Sequence, residues 1–72
     1  MKKVLVIEGL DTVQMGTAIV RILEGVRGVD KATLDMDEES VTVEYSRGVL
    51  TEDDLCDAVN DEGFEIADIY DG

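Results

Sequence analysis

Residues 32–45 read Ala32-Thr33-Leu34-Asp35-Met36-Asp37-Glu38-Glu39-Ser40-Val41-Thr42-Val43-Glu44-Tyr45. Ala32, Leu34 and Met36 alternate with Thr33 and Asp35, and Val41, Val43 and Tyr45 alternate with Thr42 and Glu44. Successive side chains on a strand point to opposite faces, so this period of two describes two strands with one face buried each. Asp37-Glu38-Glu39-Ser40 between them predicts the hairpin turn.

On either side of the hairpin the period changes. Towards the N-terminus, Met15, Ala18, Ile19, Ile22, Leu23 and Val26 follow the i, i+3, i+4, i+7 series of a helix stripe facing a core. Asp11 or Thr12 is suited to cap this helix, which is expected over about 13–25, and Gly25 and Gly28 bracket its end, where a left-handed glycine stops a helix. Before it, residues 3–8 form a short β-branched and aliphatic run bounded by Gly9 and predict a strand. Towards the C-terminus, Thr51 caps a second helix whose first turn is acidic and whose inner face is Leu55, Ala58 and Val59. Gly63 ends it, and Phe64 to Tyr70 predicts a last strand.

Strand, helix, strand, strand, helix, strand is a split βαβ unit taken twice. It predicts the α+β class: a ferredoxin-like βαββαβ sandwich with an antiparallel four-stranded sheet and two helices on one face. With right-handed crossovers, the loop after the first strand, the 37–40 hairpin and the 62–64 loop share one end, and Cys56 lies nearer the other. If Leu5 and Ile7 face the core, Val4 and Val6 lie on the open sheet face, where they offer a route to self-association.

The chain has 72 residues, with 18 Asp and Glu against 6 Lys and Arg, a formal charge of -12, and 44% apolar residues. That is one small core, and residues 1–72 are read as a single domain. The charge repels phosphate backbones and anionic lipid, which sets aside nucleic acid as a partner. The longest apolar run, Val4-Leu5-Val6-Ile7, is far too short to insert directly into a membrane. No histidine and one cysteine, Cys56, remove the commonest general base, thiolate clusters and any internal disulfide. These features predict a cytoplasmic protein.

Three stretches, Ile7-Glu8-Gly9-Leu10, Ile22-Leu23-Glu24-Gly25-Val26-Arg27-Gly28-Val29 and Leu55-Cys56-Asp57-Ala58-Val59-Asn60-Asp61-Glu62-Gly63-Phe64, resemble the heavy-metal-associated, copper-chaperone-like domain family. The likeness runs from about residue 3 to 66 and includes the valine-rich hairpin. Members of that family carry a Gly-Met-x-Cys-x-x-Cys loop after the first strand, and its two thiolates hold Cu(I) or another soft metal ion and pass it to a partner. Counting back from Gly28, the methionine position here is Leu10, the first cysteine position is Thr12 and the second is Met15, with Asp11 inside the loop. The resemblance also implies a shielding role beside this loop for Phe64. Neither Thr12 nor Met15 supplies the thiolate that a soft ion prefers.

The residues therefore predict a domain of the metal-handling type whose thiol ligands are replaced and to which they assign no cofactor. It is expected to act as a metal-deficient protein-interaction or regulatory module. The partner expected is a basic protein surface, such as that of a transporter or another metal-handling protein, met by Asp37, Glu38, Glu39, Glu52, Asp53, Asp57 and Asp61. The alternative is residual metal binding or transport through Met15 with a partner's thiols, or through surface carboxylates suited to a harder ion. At charge -12 the chain is expected to be a monomer. No enzymatic activity is expected, because the loop 9–14 has no arginine for an anion cradle and no Ser/His/Asp set can be assembled. Cys56, surrounded by acids, is expected to be a structural thiol of raised pKa.

Overall fold

The computed structural model describes residues 1–46, 48 and 50–72. Its elements are β1 (Lys2–Glu8), α1 (Val13–Glu24), β2 (Val29–Asp35), β3 (Ser40–Tyr45), α2 (Glu52–Asp61) and β4 (Glu65–Asp71). The order is the expected one. The four strands form one sheet in the order β2-β3-β1-β4, and every neighbouring pair is antiparallel. Helix α1 lies against β2 and β3, α2 against β4, and the helices touch each other. This is the ferredoxin-like α+β sandwich.

Register explains which residues become the core. Leu5 sits opposite Val41 on one side and Ile69 on the other, and Lys3 opposite Val43. One face of β1 and β3 thus presents Leu5, Ile7, Val41 and Val43 to the helices, which answer with Ile19, Leu23, Leu55 and Val59. All eight are fully buried. Truncating any of these leucines or isoleucines to alanine removes transfer energy and leaves a cavity, at about 2–5 kcal/mol each.

Several elements differ from the sequence reading for identifiable reasons. The hairpin turns through residues 36–39, so Met36 leaves the strand and lies half-buried against the core, while Ser40 is the first residue of β3 and is buried. The Asp35 carboxylate accepts the backbone N–H groups of Asp37 at 3.1 Å and Glu38 at 3.3 Å, which starts the turn early. Ala18, placed on the inner stripe by spacing, is exposed, and Gly16 takes an inward position instead. A Cβ at Gly16 would stand 2.5 Å from both Leu34 methyl carbons, so the missing side chain lets α1 approach β2 closely and turns Ala18 outwards.

Gly25 keeps a right-handed conformation at the end of α1, and its N–H is shared between the carbonyls of Arg21 and Ile22. The left-handed glycine is Gly28, at φ 102°. Phe64 precedes β4 rather than opening it. Val4 is 9% exposed and Val6 half-buried, so the open face exposes less apolar surface than the alternation suggested. Val4 is flanked across the strands by Thr42 and Tyr70. Helix α2 starts as expected: the Thr51 hydroxyl accepts the Asp54 N–H and the Asp54 carboxylate accepts the Thr51 N–H at 2.9 Å, a reciprocal cap.

Candidate functional site

Gly9, at φ 75°, turns the chain out of β1 in a conformation that costs glycine little. Leu10 then folds back into the core and is 1% exposed. Asp11 and Thr12 lie on the surface. Thr12 is extended, and its hydroxyl accepts the Met15 N–H at 3.2 Å while its carbonyl accepts the Gly16 N–H. This satisfies one of the free N–H groups that every helix start leaves. Met15 is half-buried against the core cluster. Each of Leu10, Thr12 and Met15 thus has a folding task.

The end of the domain that holds this loop is assembled as the topology predicted. The Ile7 N–H donates to the Glu39 carbonyl at 2.9 Å, which ties the 36–39 turn to the end of β1. Pairing of Glu8 with Glu65 and of Ile7 with Ile66 brings the start of β4, and Phe64 before it, to the same end. Phe64 is half-buried and packs on the core.

The acids named from the sequence are all exposed, but they do not form one patch. Asp37, Glu38 and Glu39 sit on the hairpin and Asp61 at the end of α2, which the chain topology brings to the loop's end of the domain. Glu52 and Asp53 start α2 at the opposite end, with Asp57 between. There Lys3 lies 3.6 Å from Glu52 and 2.6 Å from Asp71, linking β1, α2 and β4. The Lys3 pKa is raised, first by its hydrogen bond to Asp71, with the Asp71 and Glu52 charges adding to it. Among the described residues, no group of three or more His, Cys, Asp or Glu side chains is placed to hold a metal ion together.

Cys56 lies in the first half of α2, four residues from its start and six before the 62–64 loop, half-buried in a groove against β4. Burial raises its thiol pKa, and the nearby Asp53, Glu52 and Asp57 charges raise it further. Charge next to a thiol favours the thiolate when positive and opposes it when negative, so this cysteine is not activated. One feature escaped the sequence reading. Val13, beside the cap, is 63% exposed. Its position lies off the 15-19-22 stripe, a spacing that marks it as outward-facing. No helix among the described residues is long and apolar enough to cross a membrane.

No protein-family profile matches the chain. It is similar to the copper chaperone CopZ of Staphylococcus epidermidis, 26% identical over 65 residues that span 90% of this chain and 96% of that one. The solved CopZ metallochaperone superposes with a TM-score of 0.86 over 93% of this chain and all of the other, at 22% identity, a likeness of fold. The N-terminal domain of a potential copper-translocating P-type ATPase from Bacillus subtilis, solved in the Cu(I)-loaded state, superposes with a TM-score of 0.82. It is 29% identical and covers 99% of this chain and 91% of that one.

Proposed function

The chain is a domain of the heavy-metal-associated type, and from that premise we propose that it keeps the type's protein contacts in metal handling without a thiolate site of its own. It acts as an interaction or regulatory module and carries out no catalysis. The observation that supports this most directly is the loop after β1. The positions that hold sulfur ligands in the resembling family are a capping hydroxyl, Thr12, and a core-packed thioether, Met15. A neutral hydroxyl and one thioether give a soft ion little affinity.

The partner is a basic surface on a metal-handling protein. The likeness to CopZ and to a P-type ATPase N-terminal domain supports a transporter or its chaperone as the source of that surface. With a formal charge of -12, electrostatics speeds the encounter and opposes self-association, so the working form is a monomer. A cytoplasmic setting suits a lone cysteine that needs no oxidation.

The reading is tested by measuring association with the purified cytosolic metal-binding domain of a copper transporter while a chelator removes all Cu(I). Binding that persists without copper and weakens from low to physiological salt is expected. Binding that requires added copper would overturn the proposal and favour a residual ligand role for Met15.

A further inference from the structure

Helix α2 and the edge strand β4 diverge enough to leave a groove of about 520 Å³ between them. Cys56 and Asn60 line its helix side, and Ile66 and Ile69 line its strand side. Both isoleucines are half-buried and rest on the core cluster, so the floor is apolar and continuous with the interior. The lips are anionic. Glu65 and Asp68 stand on the strand, and Asp53 and Asp57 on the helix are near enough to act on the Cys56 thiol. Nine acids and no lysine or arginine lie between Glu52 and Asp71.

We infer that this groove receives a short cationic segment of a partner protein, which sets an aliphatic side chain against Cys56, Ile66 and Ile69 and its lysines or arginines against the acidic lips. The inference rests on the reading of the domain as an interaction module and gives that module a particular address. Charge selects the occupant. A phosphate-bearing ligand or a second copy of this chain would bring more negative charge to the lips, whereas a basic segment neutralises them. Recognition runs through side chains more than through strand addition, because the Ile69 N–H already donates to the Asp68 carboxylate at 2.8 Å.

The test uses a synthetic peptide alternating lysine and leucine, with a glutamate-leucine peptide as its counterpart, followed by amide shifts in the labelled protein. Shifts concentrated at Cys56, Asn60 and 65–69, seen with the lysine peptide alone and shrinking as salt rises, are expected. Ala67 is exposed at the point where the pairing of β1 with β4 shifts, so a larger side chain fits there without disturbing the ladder. Ala67→Trp fills the groove at constant charge and should weaken the lysine peptide about tenfold or more, a loss of some 1.4 kcal/mol. Asp30→Lys, on β2 at the sheet edge opposite β4, should leave affinity unchanged at physiological salt, where distant charges are screened.

In the unmodified protein, bound peptide should also slow alkylation of Cys56, a readout that does not depend on how Ala67→Trp folds. Peptide shifts centred on the hairpin, or Ala67→Trp binding as tightly as the parent, would overturn the groove while leaving the interaction module standing. Absence of any binding by the lysine peptide at low salt would overturn the groove and remove the electrostatic support for the module as well.

Discussion

The Thr12 hydroxyl accepts the Met15 backbone N–H at 3.2 Å, so the two positions that counting back from Gly28 sets against the resembling family's cysteines are joined here by a helix cap. The loop after β1 is built to start α1. Removing this cap should cost stability and nothing else. Thr12→Ala is expected to lower unfolding free energy by about 1 kcal/mol, and Thr12→Ser to restore most of it. Urea unfolding followed by circular dichroism measures both, and a Thr12→Ala loss near zero would show that the hydroxyl is free for another role.

Leu10 tests whether the loop belongs to the core. At 1% exposure it fills space under the loop. Leu10→Ala should destabilise by about 2–5 kcal/mol. Leu10→Met keeps volume and should cost under about 1.5 kcal/mol. Equal effects of the two substitutions, read from chemical denaturation, would contradict a packing role.

The Lys3 ion pairs make a pH prediction with a definite sign. The folded-state pKa is raised by Asp71 and Glu52, so their contribution is fully present below the unfolded lysine pKa of about 10.4 and is lost as pH rises through the higher folded value. Lys3→Met should therefore show a smaller fall in urea midpoint than the parent protein across that alkaline window, and high salt should narrow the difference. Parallel pH profiles for the two proteins would rule the pairs out as a source of stability.

Cys56 should be a sluggish nucleophile near neutrality. Burial first, and the Asp53, Glu52 and Asp57 charges after it, push its thiol up. The midpoint of its alkylation rate against pH should exceed that of a free cysteine, near 8.5, and Asp53→Asn or Asp57→Asn should move it down. A midpoint below the free value would mean that the surroundings activate the thiol.

The secondary structure was legible in the sequence because its two periods are clean. The alternation of Val41, Val43 and Tyr45 and the stripe of Ile19 and Leu23 each name a buried face that the structure confirms. What could not be read were the places where one side chain or one missing side chain redirects the backbone. The Asp35 carboxylate takes two N–H groups and draws Met36 out of β2. Gly16 brings α1 onto Leu34 and shifts the inner stripe. Both depend on contacts that spacing does not encode.

The candidate site divides in the same way. The shared end of the loop and the hairpin followed from topology. The separation of Glu52 and Asp53 from Asp37, Glu38 and Glu39, and the groove beside β4, depend on the elements' placement in three dimensions. They are visible only when the elements are assembled.

The most direct test of the central claim is a Cu(I) titration of the reduced protein against a chromogenic chelator, with the amides of residues 10–15 followed by NMR. The parent protein should leave the chelator's copper untouched and the loop shifts unchanged. Thr12→Cys combined with Met15→Cys, which restores two thiolates at those positions, should take copper and melt at a higher temperature in its presence. Withdrawal of copper by the parent protein, with shifts confined to that loop, would contradict the account and make the domain a metal carrier.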